Sequence, residues 1–233
     1  MIQKKYDTTK EAVTDIHDGA TVLVGGFGGS GLPTKLITAL KEHGAKDLTI
    51  VSNNIGAVSE GVATLISNRQ VKKIICSFPV GPHATELIEL LQAGEIELEV
   101  APQGTIAERI RAGGAGVPAF YTPTAAHTEL AEGKETREFS GRVHLLEHAI
   151  KGDFALIKAH RADRWGNLIY RKAQRNFNPV MATAATTTIA EVNEVVDVGE
   201  MSAEEIVTPS IFVERLVEIE VERQNERSVA TNE

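Results

Sequence analysis

Cysteine is nearly absent from this chain of 233 residues. The single cysteine, Cys76, excludes a disulfide within the chain and is typical of proteins from a reducing compartment. Long apolar runs are also missing: none reaches the roughly 20 residues of a membrane span, and the first residues contain no apolar signal-peptide core. We therefore expect a cytoplasmic protein without a membrane partner.

The chain also lacks an excess of positive charge. It has 24 Lys and Arg against 32 Asp and Glu, which gives a net charge of −8 and a pI near 5.5. Because binding to a nucleic-acid backbone depends on cations that neutralise phosphates, we expect no nucleic-acid partner. Hydrophobic residues make up 42% and charged residues 24%, as in ordinary globular proteins, so we expect disorder only near the ends.

Apolar strands and amphipathic helices alternate from about residue 8 to residue 123. A first helix is expected after a cap at Thr8 or Thr9, and a later one ends at Gly44. Four strands, each followed by a helix, are expected at 21–26, 47–52, 71–77 and 96–101. This alternation predicts an α/β fold: a doubly wound, mainly parallel sheet with helices on both faces.

The pattern changes after residue 123 to shorter strands joined by turns. Strands are expected at 142–150, 153–163 and 167–173, with a hairpin turn at RWGN (164–167), then a helix near 178–186 and a strand at 187–196. These segments predict an antiparallel C-terminal extension. We expect one domain over 1–220 and a polar, frayed tail over 221–233.

The first expected strand runs directly into the sequence VGGFGGSGLP (24–33), which contains five glycines. Its G-x-G-x-x-G spacing from Gly26 is found in dinucleotide sites, but the second strand ends in amides where such sites carry an acidic residue. A Walker loop is excluded because no Gly-Lys-Ser/Thr follows. The open interpretations are a site for another phosphate-bearing ligand and a tight turn.

The ends of the four strands are rich in small residues, and two of them carry side-chain amides. In parallel sheets ligands gather at these ends, which here read GGFGGSG, SNNIG, CSFPVGP and APQG. They contain no Ser–His–Asp set, no carboxylate pair and no cluster with metal-ligand spacing. Neutral donors of this kind suit an oxyanion or a polar acyl group. The pattern predicts that these loops form one side of a ligand-binding site and supply no nucleophile.

The stretch DGATVLVGGFGGSGLP resembles the signature of the first subunit of the family I coenzyme A transferases. The residues that carry the resemblance are Asp18, Gly19, Gly25, Gly26, Phe27, Gly31 and Pro33. Further segments, among them VKKIICSFP, LAEGKETREFSGR and RKAQRNFNPVMATAA, also resemble the family and follow its order. The resemblance extends from about Tyr6 to Glu218.

The resemblance implies an enzyme that moves CoA from succinyl-CoA to a β-keto acid, with 3-oxoadipate favoured over acetoacetate. It implies a ping-pong mechanism whose glutamate nucleophile lies in a Ser-Glu-Asn-Gly motif on a second subunit, which joins this chain in an α2β2 or similar heteromer. This chain has no such motif. We therefore expect no catalytic nucleophile on this chain, no metal, and no permanently bound cofactor, with coenzyme A and acyl-CoA as substrates.

Binding residues follow from the same resemblance, position by position. Support for the acyl site and its oxyanion is assigned to Asn53, Asn54 and Gln103, for which helix capping and turn formation are the alternative roles. Contact with CoA is assigned to Gly25, Gly26, Phe27, Gly28, Gly29, Ser30 and Gly31, where missing Cβ atoms let the backbone approach a ligand.

Other candidates are weaker. Cys76 ends an apolar strand, as a core residue would, and the histidines at 83, 127, 144, 148 and 160 share no spacing. The basic strip 161–175, with Trp165 at its turn, is either a solvated hairpin with balancing acids or an interface. Ser59-Glu60-Gly61 nearly matches the nucleophile motif but fits a capped helix start better.

The sequence leaves two functions open besides that of a catalytic coenzyme A transferase subunit. One is a nucleotide-binding oxidoreductase, against which the missing acidic residue after the second strand argues. The other is a paralogue that keeps the fold and has lost its catalytic partner.

Overall fold

The computed structural model describes residues 4–56, 61–79 and 85–219. The strands are β1 (Lys5–Tyr6), β2 (Thr21–Val24), β3 (Leu48–Ser52), β4 (Val71–Cys76), β5 (Glu97–Val100), β6 (Ala119–Thr122), β7 (Thr136–Phe139), β8 (Arg142–His148), β9 (Gly152–Asp163), β10 (Leu168–Ile169), β11 (Ala185–Val196) and β12 (Arg215–Glu218). The helices are α1 (Thr9–Ala12), α2 (Thr34–His43), α3 (Ala63–Ser67), α4 (Thr85–Gln92), α5 (Gln103–Gly114) and α6 (Asn178–Ala182).

The helix ends follow the sequence signals. The Thr8 side chain accepts a hydrogen bond from the Glu11 N–H, so Thr8 is the cap of α1. Helix α2 ends at Gly44, which has φ +82° and donates its N–H to Leu40 O. Both predicted helix ends are confirmed.

The main sheet has the strand order β1-β12-β11-β9-β2-β3-β4-β5, with β10 paired to β9. Every neighbouring pair along that order is parallel, and only the β9–β10 pair is antiparallel. Helices cover both faces: α1 to α4 pack in one apolar cluster, and α5 and α6 pack in the other. The predicted fold class is therefore confirmed.

The antiparallel part is smaller than the predicted extension. It consists of the β9–β10 hairpin across the expected turn and a separate three-stranded sheet, β6-β8-β7. Strands β9, β11 and β12 instead rejoin the parallel sheet, since β9 pairs with β2 and β11 pairs with both β9 and β12. The chain between β9 and β11 passes through α6, and a helical crossover brings the next strand back parallel.

The strand order places the functional loops side by side. Strand β2 lies between β9 and β3, at the position where the chain turns from one half of the sheet to the other. Such switch points open a crevice at the carboxyl ends of the strands. The glycine-rich segment after β2 is therefore at the centre of that edge, with the ends of β3, β4 and β5 beside it in order.

No helix within the described ranges has both the length and the apolar character that a membrane crossing requires.

Candidate functional site

The segment Gly25–Gly31, called the glycine loop below, forms a narrow hairpin at the end of β2. Gly25 N donates to Leu156 O, and Phe27 and Ser30 exchange two backbone hydrogen bonds of 3.0 Å. Gly28 and Gly29 form the tip between them. Gly28 has φ +59°, and a Cβ added at either tip glycine would meet no atom within 4 Å. The tip therefore faces open space.

Asn54, the second residue after β3, binds the tip of the glycine loop. Its Oδ1 accepts from Gly28 N at 2.9 Å and from Asn53 Nδ2 at 3.2 Å. Because a backbone N–H can only donate, these bonds determine which side-chain atom is the oxygen. The Asn54 Nδ2 group has no acceptor among the described residues, so it is available to a ligand.

Asn53 has a different environment from Asn54 although the two are neighbours in sequence. It is buried, its Oδ1 accepts from Ser77 Oγ at 2.9 Å, and its backbone oxygen accepts from Ser77 N and Phe78 N. Hydrogen bonds thus run from Gly28 through Asn54 and Asn53 to Ser77, joining the ends of β2, β3 and β4. Asn53 orients Asn54 and ties two strand ends together.

Gln103 is the exposed first residue of α5, after Pro102. Strand β5, which leads to it, lies two positions from β3 in the sheet, a spacing of about 10 Å between strand axes. The structure therefore places Gln103 and Asn54 on the same edge without bringing them into contact. A ligand of several atoms is needed to touch both amides.

Two large apolar side chains are exposed beside these amides. Phe27 precedes the tip of the glycine loop and is 48% exposed, and Phe78 pairs with Asn54 and is 59% exposed. Exposed aromatic side chains next to a polar site are typical of surfaces that contact a ligand or another protein.

The N-terminus of α2, which follows the glycine loop, is occupied by a side chain of the protein itself. Glu191 of β11 is fully buried, and its Oε2 accepts from the N–H groups of Lys35 and Leu36 at 2.9 and 3.0 Å. Burial raises the pKa of Glu191, opposed by the Lys158 ammonium 3.0 Å from its Oε1. In dinucleotide sites these first-turn amides hold the pyrophosphate, so their occupation argues against a dinucleotide here.

Cys76 lies at the end of β4, where burial raises the pKa of its thiol to about 11. At neutral pH it is therefore a protonated core residue, which fits the prediction that it has no catalytic part.

Thiol labelling should show this directly. We expect iodoacetamide at pH 8 to modify Cys76 in the native chain about 100-fold more slowly than in guanidinium chloride, because a thiol of pKa about 11 is rarely ionised. Mass spectrometry of the carbamidomethylated peptide gives the two rates. Native labelling as fast as that of the unfolded chain would contradict the buried placement.

The basic strip 161–175 is partly balanced by acids. Arg161 binds Glu194 at 2.8 Å, and Arg164 lies 4.0 Å from Asp197. Burial, then Arg171 and Arg161, lower the pKa of the nearby His160. Trp165 is half-exposed at the turn between β9 and β10, where three consecutive N–H groups donate to Asp163 Oδ1.

In the near-match to the nucleophile motif, Ser59 and Glu60 lie outside the described residues, as does His83. The described helix after the motif, α3, begins only at Ala63, and Gly61 has φ +69°, so the helix starts later than predicted. Within the described ranges no three or more His, Cys, Asp or Glu side chains are grouped in a way that could hold a metal ion.

Comparisons with known proteins identify the family of this chain. The chain matches the family model for Coenzyme A transferase over residues 6–219. It is 54% identical over 219 residues to the A subunit of 3-oxoadipate CoA-transferase from Pseudomonas putida, covering 94% of this chain and 95% of the relative. It is 50% identical over 214 residues to the A subunit of a probable succinyl-CoA:3-ketoacid coenzyme A transferase from Bacillus subtilis, covering 92% and 89%.

A solved structure supports the fold. The acyl-CoA transferase of Escherichia coli O157:H7, in a thioester complex with CoA, superposes with a TM-score of 0.79 at 22% identity. The alignment covers 93% of this chain and 47% of that one.

Proposed function

Since the chain belongs to the coenzyme A transferase family, we propose that it is the first of the two subunits of a heteromeric 3-oxoacid CoA-transferase. The donor is succinyl-CoA and the acceptor is a β-keto acid, 3-oxoadipate first and acetoacetate second. The observation that carries the proposal is the 54% identity, over nearly the full length of both chains, to the A subunit of a 3-oxoadipate CoA-transferase.

The chemistry of the strand ends is consistent with half of such a site. The described loops at 25–33, 53–56, 77–79 and 101–104 contain no Asp, Glu, Cys or His, so they offer hydrogen-bond donors and bare backbone but neither a carboxylate nucleophile nor a base to activate a serine. The second subunit supplies the missing glutamate from its Ser-Glu-Asn-Gly motif. The assembly is an α2β2 or similar heteromer.

The reaction then proceeds in two balanced halves. The partner's glutamate attacks the thioester carbon of succinyl-CoA, and the C–S bond breaks to give an acyl-glutamyl anhydride and CoA thiolate. The thiolate attacks the glutamyl carbonyl, which releases succinate and leaves a glutamyl-CoA thioester. The same steps in reverse, with the carboxylate of the 3-oxoacid as nucleophile, give the new acyl-CoA and restore the glutamate.

Residues of this chain stabilise the charge that each attack creates. The free Asn54 Nδ2 group, oriented by Asn53, donates to the oxyanion, and Gln103 donates to the acyl group from the end of β5. The tip of the glycine loop contacts CoA. Neutral amides suit this role because they stabilise a transient negative charge without neutralising the attacking carboxylate.

The two other candidate functions make different predictions. An oxidoreductase should bind NAD, which the occupied N-terminus of α2 disfavours. A non-catalytic paralogue should lack a neighbouring reading frame that encodes Ser-Glu-Asn-Gly. The test of the proposal is an exchange assay on the purified complex of both subunits: succinyl-CoA with 3-oxoadipate or acetoacetate, following the new acyl-CoA. Exchange with neither acid would overturn it.

The contact between the glycine loop and CoA can be tested with a matched pair of glycines. Gly28 and Gly44 both have positive φ, +59° and +82°, and open space around a Cβ. Val at either position costs about 1–2 kcal/mol of backbone strain. We expect Gly28→Val to reduce exchange in the assembled enzyme at least about 100-fold, while Gly44→Val, at the opposite edge, loses stability only.

Initial rates and thermal unfolding of both variants are the measurements. Equal activity of the two variants would show that the glycine loop is a tight turn that does not contact CoA.

A further inference from the structure

Asn178, the first residue of α6, is a fully buried amide behind the glycine loop. A Cβ at Gly25 would lie 1.9 Å from Asn178 Oδ1, and a Cβ at Gly31 would lie 2.8 Å from Asn178 Nδ2. Cβ atoms in proteins essentially never make non-bonded contacts shorter than 3.0 Å. The glycines at both ends of the loop are therefore required by a side chain of this protein, in contrast to the open tip.

Both polar atoms of the Asn178 side chain are hydrogen-bonded to backbone groups. Its Oδ1 accepts from Lys158 N at 2.9 Å, and its Nδ2 donates to Gly31 O at 3.0 Å and to Gln174 O at 2.7 Å. Strand β2 ends opposite Leu156, so Lys158 N lies just beyond the last ladder partner in β2. Asn178 thus satisfies a β9 backbone group and holds the loop with the same amide.

A second asparagine repeats this contact one residue earlier in the loop. Asn176 Nδ2 donates to Ser30 O at 2.9 Å and to Ala173 O at 2.6 Å. The two amides bind consecutive carbonyl groups, those of Ser30 and Gly31. On the other side of the hairpin, Asn54 binds Gly28 N.

We infer that Asn178, together with Asn176, is a positioning residue that holds the glycine loop in the shape it presents to the CoA part of the substrate. This inference rests on the proposed function. The loop has little side-chain mass of its own, since five of its seven residues are glycine, so its conformation depends on bonds from outside. Those bonds come from residues nearly 150 positions away in the sequence.

Asn178→Asp is the sharpest variant because it preserves size and shape. The carboxylate still accepts from Lys158 N, but it turns the two donated bonds into repulsion between an anion and the carbonyl oxygens of Gly31 and Gln174. Asn193→Asp is the matched control. Asn193 is a half-buried asparagine in β11, and its described hydrogen-bond partner is His160. Among the described residues no hydrogen bond joins either of them to the glycine loop.

Kinetics on the assembled enzyme separate positioning from a general structural role. We expect Asn178→Asp to lower kcat/KM for succinyl-CoA about 100-fold, since a misplaced binding group costs that much. The enzyme already carries CoA when the 3-oxoacid arrives, so kcat/KM for the acid should fall less than about threefold. Asn193→Asp should change neither. An equal fall in both constants, or no fall, overturns the inference.

Hydrogen exchange provides a readout that does not depend on activity, and so distinguishes failure of this inference from failure of the proposed function. In Asn178→Asp the amides of Phe27, Gly28 and Ser30 should exchange faster, while those in the Asp163 turn keep their rates. Unchanged loop amides, or acceleration throughout the chain, contradict the positioning role whether or not the complex has transferase activity.

Asn176→Ala covers the case in which Asn178→Asp does not fold, because Asn176 is only half-buried. Loss of its bond to Ser30 O should lower kcat/KM for succinyl-CoA about tenfold, with the same faster exchange at the loop amides. Wild-type values for Asn176→Ala in both measurements would overturn the inference.

Discussion

The purified chain alone should exchange CoA between succinyl-CoA and a 3-oxoacid at no measurable rate, and adding the second subunit should restore exchange. The physical reason is the composition of the described strand ends, which supply neutral donors and backbone but no carboxylate to form the covalent intermediate. Without the nucleophile, binding groups alone cannot supply the covalent step. The measurement is the appearance of the new acyl-CoA against the concentration of added partner, which should saturate at a fixed stoichiometry.

Trapping locates the nucleophile in the same preparation. Reduction of the glutamyl-CoA thioester with borohydride, followed by peptide mapping, should mark a glutamate on the partner chain. Glu60→Ala is the matched control on this chain, and the assembled variant should retain at least about a tenth of the activity, because the sequence analysis predicts for Glu60 only a favourable charge near a helix start, worth about 1 kcal/mol. Turnover by the isolated chain, or a label in the peptide around Glu60, would make this chain a complete enzyme.

The second large effect is expected at Asn54. Asn54→Asp keeps the oxygen that accepts from Gly28 N and Asn53 Nδ2, and replaces only the free Nδ2 donor with an anionic oxygen. If that donor stabilises the oxyanion, kcat of the assembled enzyme should fall roughly 10²–10³-fold. If Asn54 serves only to hold the glycine loop, activity should be retained, because the holding bonds are preserved.

Controls for this variant come from the opposite edge of the sheet. Asn68→Asp changes an exposed asparagine after α3 and should leave kcat unchanged. Gln103→Ala should lower kcat in the same direction as Asn54→Asp, whereas Gln92→Ala, an exposed glutamine at the end of α4, should not. An Asn54→Asp enzyme with normal kcat and lowered thermal stability would support a turn-forming role instead.

The two adjacent asparagines, Asn53 and Asn54, show how much of the site the sequence alone predicts. The motif SNN placed both amides at the end of a strand and could not distinguish them, since each is equally suited to donate, cap or turn. In the structure Asn53 is buried against Ser77, whereas the Asn54 Nδ2 group has no acceptor among the described residues. The difference depends on β4 lying beside β3, which is a tertiary contact.

The residues that the sequence analysis missed are also explained by long-range contacts. Asn178 hydrogen-bonds to Gly31 of the glycine loop, 147 positions earlier in the sequence. Glu191 hydrogen-bonds to Leu36 at the start of α2, 155 positions earlier. A signal was present in each case: a polar residue in an apolar strand for Glu191, and the paired asparagines of RNFNP for Asn176 and Asn178. Neither signal identifies the residue to which the polar side chain is hydrogen-bonded, because a buried polar group indicates only that some partner exists.

The sequence by itself determined the alternation of strands and helices, the four strand ends, the helix limits at Thr8 and Gly44, and the family motif. These features are encoded within a few residues of each other, by period and by capping chemistry. Only the tertiary structure decided that β9, β11 and β12 join the parallel sheet and that Glu191 accepts from the first amides of α2. It also decided that Asn54 is the amide whose Nδ2 group has no acceptor within the described ranges. Strand pairing and buried hydrogen bonds depend on which segments meet in space, and short-range periodicity does not specify that.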